Sequence, residues 1–237
     1  MSRRCVFVSD LHHFSQRAEQ RRYEEAIRRR MEDADVLVLG GDIFDFKWST
    51  LASHEATIDA AGRWVRDLTD HNPNCQVHYI LGNHDFDEQL MAQLELLSKD
   101  QPNFAWHPYH MQLGNSLFLH GDVADRAIDH DQLILKRQAW KSHRRPHALR
   151  HTLYDLAMSL RLHRIPPFVV HPRRQVAKRL VYYLDRHPEL QRETISRVYF
   201  GHTHVAIDGY QYQGLHFFNG GAPMKGLEFR LVEADIS

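Results

Sequence analysis

The chain has 237 residues, enough for one domain with a sizeable core. Its 43% hydrophobic and 25% charged residues exclude a disordered polymer, and 30 basic against 30 acidic side chains argue against a general nucleic-acid coat. Two cysteines, Cys5 and Cys75, without CxxC spacing, argue against a disulfide framework and fit a reducing cytoplasm.

The apolar run Cys5–Val8 is too short for a secretion signal, and no run is long enough to span a bilayer. Cys5–Ser9 instead reads as a buried strand ending at Asp10, and Ala18–Glu32 as a helix. Asp35–Gly40 is a second strand, ending at Gly41-Asp42. A helix over His54–Asp70 follows, with Ile58, Ala61, Val65 and Leu68 at 3.6 spacing. Gln76–Leu81 is a third strand, ending at Gly82-Asn83-His84-Asp85, and Asp87–Ser98 is a helix with acids in its first turn. This alternation predicts an α/β layered fold with parallel central strands.

Met111–Leu119 carries Gly114-Asn115 between alternating apolar residues, a hairpin signal, and its second arm ends at His120-Gly121-Asp122. Ile195–Phe200 is a further strand, ending at Gly201-His202-Thr203-His204. The tail, Gly209–Val232, reads as two or three antiparallel strands closing a second sheet. Between the hairpin and the Ile195 strand lies one large insertion, residues 123–194, mostly helical in pattern and broken at Pro166-Pro167 and Pro172. Within it, Lys136–Leu190 holds thirteen Lys or Arg against three acids, so a neutral total hides an acidic body with a basic segment. Leu149, Leu153, Leu156 and Leu160 recur at helical spacing, as do Val176, Leu180 and Tyr183, so part of each stripe must pack on the body. Arg-rich helices are ordinarily solvated faces. If this segment caps a site, its cations, among them Lys136, Arg137 and Lys178, would face an anionic substrate.

Nineteen histidines are many for this length. Five strand ends carry ligand-type side chains: Asp10 and His12, Asp42, Asn83 and His84, His120, and His202 with His204. A lone Asp after a strand is ordinarily a helix cap, and a lone His is ordinarily packed or solvated. Caps and turns, however, do not call for imidazole at one strand end after another. Ligands bind beyond the carboxyl ends of strands in open α/β sheets, so convergence there would gather these groups. Imidazole, carboxylate and amide oxygen without thiolate suit Mn²⁺, Fe or Zn²⁺ and disfavour a closed structural zinc site. Eight candidates exceed one ion's needs. Two ions sharing a carboxylate would use them, in the arrangement suited to displacement at phosphorus.

In order along the chain, Asp10-Leu11-His12, Gly41-Asp42, Gly82-Asn83-His84-Asp85, His120-Gly121-Asp122 and Gly201-His202-Thr203-His204 resemble the motif series of the calcineurin-like metallophosphoesterases. That resemblance implies a four-layer α-β-β-α sandwich with the basic helical insertion as a cap, in a single domain over residues 1–237. It implies two divalent ions, Mn²⁺ foremost. Asp10, His12 and His204 would hold the first and Asn83, His120 and His202 the second, with Asp42 as the bridge and a hydroxide between the metals as nucleophile. His84 would touch the phosphoryl oxygens and assist the leaving group, oriented by Asp85, while Phe86 packs at the rim. His13 has no counterpart in the pattern and falls on the opposite side of the chain.

The insertion's length and placement resemble the UDP-2,3-diacylglucosamine pyrophosphatases of lipid A synthesis, peripheral membrane enzymes whose cap holds acyl chains. That implies a lipid-nucleotide substrate and contact with the inner membrane face. The best-known enzymes of that branch carry arginine where this chain has His84, and the Gly-Asn-His-Asp form matches general phosphatases and phosphodiesterases. A phosphoesterase of another small molecule therefore stands as the alternative. A non-catalytic scaffold would lack the ligands retained here, and a nuclease acting on single strands would show a stacking stripe that is not evident.

Overall fold

The computed structural model of the chain describes residues 3–15, 20–141 and 171–236. Strands β1 (Arg3–Val8), β2 (Val36–Gly40), β3 (Gln76–Ile80) and β4 (Phe104–His107) run parallel and in that order, and β10 (Val232–Ile236) pairs antiparallel with β1 at the edge. Helices α1 (Gln20–Glu32), α2 (His54–His71) and α3 (Glu88–Asp100) connect the parallel strands, as crossovers between parallel neighbours require. Ser53 caps α2 by accepting from Ala56 N–H, and Asp87 caps α3 through Gln89 and Leu90 N–H, so each helix starts where a side chain replaces the missing carbonyl partner.

The second sheet holds β5 (His110–Leu113), β6 (Ser116–Leu119), β7 (Arg197–Tyr199), β8 (Ile207–Tyr212) and β9 (Leu215–Asn219), in the order β5-β6-β7-β9-β8. The β5–β6 hairpin is antiparallel, β6, β7 and β9 are parallel, and β8 returns antiparallel to β9. Helices α4 (His130–Lys141) and α5 (Arg173–Leu184) belong to the segment between β6 and β7.

Period-2 alternation sorts the core into three layers. Along β1 and β2, Val6, Val8, Leu37 and Leu39 face helices α1–α3, while Cys5, Phe7, Val36 and Val38 face the other sheet. On β6 and β7, Phe118 and Tyr199 point between the sheets, while Leu117, Leu119 and Val198 point outward to α5. Phe118, Tyr199 and Phe218 stack at 4.8 and 4.9 Å across neighbouring strands and meet Phe7, a continuous aromatic seam between the sheets. The result is the expected helix–sheet–sheet–helix order. Val176, Leu180 and Tyr183 of α5 bury against the second sheet as their stripe requires, whereas the stripe from Leu149 to Leu160 lies outside the described residues.

The two antiparallel strands expected of the tail are β8 and β9, which extend the second sheet, and the chain's last strand, which begins only at Val232, completes the first sheet beside β1. Alternation shows that a tail segment is a strand, but its partner is chosen by long-range pairing. Strand β4 was not anticipated, because Phe-Ala-Trp-His is four residues at a sheet edge and is too short for a pattern.

Candidate metal centre

The carboxyl ends of β1, β2, β3, β6 and β7 meet at one end of the sandwich, and the loops that leave them are tied together. Asp10 N–H donates to Gly41 carbonyl at 3.0 Å and His12 N–H to Asp42 carbonyl at 2.9 Å. The two sheets are joined there by His202 N–H on the Asp10 carboxylate (2.9 and 3.0 Å) and by a His120 Nδ1 contact with Gly40 carbonyl at 3.1 Å. Glycine is required where the strands come closest. A methyl group at Gly82 would run into the Asp42 carboxylate, and one at Gly201 into that of Asp10.

Among the described residues three groups of donors result, Asp10 with His12 and His204, Asp42 with His120 and His202, and, overlapping both, His12 with Asp42 and His84. Within the first, His12 Nε2 lies 3.2 Å from His204 Nε2, and His204 Nε2 lies 3.4 Å from Asp10 Oδ1. Within the second, His120 Nε2 is 3.3 Å from Asp42 Oδ2 and 3.2 Å from Asn83 Oδ1. Asp42 Oδ2 also reaches within 4.0 Å of His12 Nε2, so this carboxylate stands between the groups. Donor atoms a little over 3 Å apart are the edges expected around an ion with bonds of about 2.1 Å. Asp10, His12, Asp42, His202 and His204 all have φ between 46° and 65°, left-handed backbone that costs such residues on the order of 1 kcal/mol or more each. Strain gathered on five ligand-type residues, nitrogen and oxygen donors, and no thiolate fit a pair of divalent ions.

Electrostatics follow from burial among opposite charges. Burial alone would raise the carboxyls of Asp10 and Asp42, yet His204 and His120 around Asp10, and His120, His84 and His12 around Asp42, hold both below the ordinary range. Burial works against a charge on His120, but Asp42, Asp10 and Asp122 overcome it and lift its pKa to about 10. His12 is lowered, first by burial.

His84 lines a cavity of about 290 Å³ with Asp42, Asn83, Asp125, Lys136, Arg137, Trp140, His202 and His204. Its ring also falls within ligand distance of His12 and Asp42, so geometry alone does not separate it from the ligands. The carboxylate beside the His84 ring is Asp45, whose Oδ1 lies 3.2 Å from His84 Nδ1 and whose Oδ2 lies 3.6 Å from His12 Nδ1. Buried between two imidazoles, the Asp45 carboxyl is held far below the usual carboxylate range although burial opposes this. Asp85, expected to orient His84, spends its carboxylate elsewhere. Asp85 accepts from Gly82 N–H (2.5 Å), Tyr79 hydroxyl (2.7 Å) and Ile43 N–H (2.9 Å), and so pins the β2 and β3 loops. Burial, and then Asp42, raise its pKa to about 6. Asp45 was missed, although a second acid three residues after Asp42 was a readable signal.

The expected substrate cations fare differently. Arg137 is 1% exposed and forks onto Asp122 at 2.8 and 3.0 Å. Its other end donates to the carbonyls of Leu81 (2.9 Å) and Pro108 (2.6 Å), so it clamps loops and has little left for a substrate. Lys178 is exposed on α5, whose inner face is buried on the body, and does not line the cavity. Lys136 lines it, but its Nζ donates to Asp122 carbonyl and Asp125 Oδ2, both at 2.7 Å. Phe86 packs into the first core instead of sitting at the rim, and His13 is buried there against Trp64.

The calcineurin-like phosphoesterase family matches residues 3–206, and the chain belongs to that family. It is accordingly a metal-dependent phosphoester hydrolase. Comparison with curated proteins gives no match. Among solved structures, phosphopantetheinyl hydrolase (PptH) from Mycobacterium tuberculosis matches with 14% identity over 97% of this chain and 95% of that one, at a TM-score of 0.46. No helix among the described residues is long and apolar enough to cross a membrane.

Proposed function

We propose that the chain hydrolyses a phosphoester or pyrophosphate bond with two divalent ions, the first held by Asp10, His12 and His204, the second by Asn83, His120 and His202, with Asp42 serving both. The observation that carries this reading is the position of Asp42 Oδ2, 3.3 Å from His120 and 4.0 Å from His12, between two donor groups. When bound, the ions would supply a water acidified towards neutral pH and positive charge against the phosphoryl oxygens. The chain's own residues do the rest. Asn83 and His84, on the cavity wall, meet the substrate's phosphoryl group. His84 passes a proton or hydrogen bond to the departing oxygen, with Asp45 holding its Nδ1. Asp85 and Arg137 keep the β3 loop in place beneath it.

Within this class, the basic insertion at residues 123–194 supports a UDP-2,3-diacylglucosamine pyrophosphatase-like activity in lipid A synthesis, at the cytoplasmic face of the inner membrane. The cavity favours a second reading, a phosphodiesterase or phosphomonoesterase of a soluble small molecule. Its described lining residues are polar in type apart from Trp140, and the apolar stripe of α5 is already packed on the second sheet, while on α4 Leu133 is buried and Leu135 stays exposed. Metal analysis of the purified protein should find two ions per chain, with Mn²⁺, Fe and Zn²⁺ assayed for identity. Turnover on p-nitrophenyl phosphate, its bis-ester, a nucleic acid, a UDP-sugar and UDP-diacylglucosamine then separates the readings. Detergent-dependent hydrolysis of the lipid alone selects the first, and activity confined to the mono- or bis-ester selects the second. A protein that takes up no divalent ions would sink both.

A further inference from the structure

We propose that Asp125, braced by Lys136, is a positioning residue that fixes the ring of His202 for the second ion. The inference rests on the two-ion reading above. Asp125 follows the 3-10 turn Asp122–Ala124 that leaves β6, and its Oδ1 lies 2.8 Å from His202 Nε2. Its other oxygen accepts from Lys136 Nζ of α4 at 2.7 Å, and the same ammonium donates to the Asp122 carbonyl. His171 Nε2, just before α5, approaches Oδ1 at 3.9 Å. Lys136 thus ties both ends of the short turn together and aims the carboxylate at His202.

His202 needs such a brace more than His120 does. Its side chain is 16% exposed, against 0% for His120, so packing alone does not define its rotation. With Nε2 engaged by Asp125, Nδ1 is the nitrogen left to face an ion alongside His120 and Asp42. A carboxylate on the far nitrogen of a ligating imidazole fixes its tautomer and raises its basicity, and losing that partner costs roughly 10–100-fold in metal affinity. Lys136, which sequence reasoning assigned to substrate, has its ammonium engaged in this brace. The consequence is that α4, part of the insertion, is coupled to the affinity of the second ion.

Mn²⁺ titration calorimetry on the full chain tests this, with His202→Ala as the reference for loss of the second site. Asp125→Ala should weaken one of two ions by roughly 10–100-fold and leave the other and the melting temperature near wild type. Lys136→Met should give a smaller loss at the same site, restored by Lys136→Arg. In a His202→Ala background, Asp125→Ala should add nothing, because the carboxylate acts through that ring. Two ions bound with wild-type affinity by Asp125→Ala overturn the proposal. So does equal weakening of both ions with a lowered melting temperature, which marks a merely structural role, or a full additive loss in the double variant. A wild-type chain that fails to bind two ions would instead overturn the two-ion reading on which this rests.

Discussion

The two halves of the metal centre are built differently. On the first sheet, Asp10, His12, Asp42 and Asn83 are at most 6% exposed, and their loops are bonded to one another through backbone and through the buried carboxylates of Asp45 and Asp85. On the second sheet, His120 is fully buried, but His202 and His204 keep 16% and 22% of their side chains open, and His202 takes its partner from Asp125 at the root of the insertion. The deep half is complete within the α/β core, whereas the open half depends on residues between β6 and β7. On the proposed two-ion reading, the buried part would hold charge in place while the open part would admit substrate and, through Asp125, couple the site to the insertion.

Removing the residue common to both proposed ion sites should have the largest effect. Asp42→Ala should lose both ions and reduce turnover to background, as measured by metal content and hydrolysis of the preferred ester. Retention of one tightly bound ion would show that the two ion sites are independent. Next in size, His84→Ala should keep both ions and lose about 10²–10⁴-fold in kcat, the range for a lost proton donor. Asp45→Asn should lose less than this while also weakening the first ion, since Asp45 faces His12 as well. Unchanged kcat in His84→Ala would remove it from the reaction.

Stability should divide along the same line. Arg137→Met leaves Asp122 buried without its cation and should cost about 3–5 kcal/mol in denaturant unfolding. Lys178→Ala, on an exposed surface, should stay within roughly 0.5 kcal/mol and leave kcat/KM unchanged. A further effect concerns protons. In the metal-free chain the pKa of His120 is raised to about 10, so its imidazole is protonated at neutral pH and an ion must displace that proton. Ion affinity at this site should therefore rise as pH increases, by up to about tenfold per unit below that pKa, and fall in acid. Calorimetry in buffers of different ionisation enthalpy should find about one proton released per ion at this site. An affinity that does not change between about pH 6 and pH 8 would show His120 already neutral.

Much of this was legible in advance because it is written in local patterns. Alternation on β1 and β2 and the stripe Ile58-Ala61-Val65-Leu68 report burial directly, so those elements appear near their expected bounds. The convergence of ligand-type residues was readable because parallel strands in one layered fold must deliver their carboxyl ends to one place. Charge was a poorer guide. Arg137 and Lys178 carry the same sign in the same basic segment, yet one is a buried clamp and the other faces solvent. Adjacency misled as well: Asp85 follows His84 directly, but it turns under the loop to the amides of Gly82 and Ile43.

By itself, then, the sequence determined the layers, the chain order of the strands, and which ligand-type side chains stand at their ends, because hydrophobic period and residue chemistry are properties of a few neighbours. Only the tertiary structure decided the partners of those groups. Asp45 on His84, Asp125 on His202, Arg137 on Asp122 and the last strand beside β1 span separations from 15 to more than 200 residues. Each depends on how two packed sheets bring distant loops together, and a buried charge takes whichever opposite charge that packing leaves within reach.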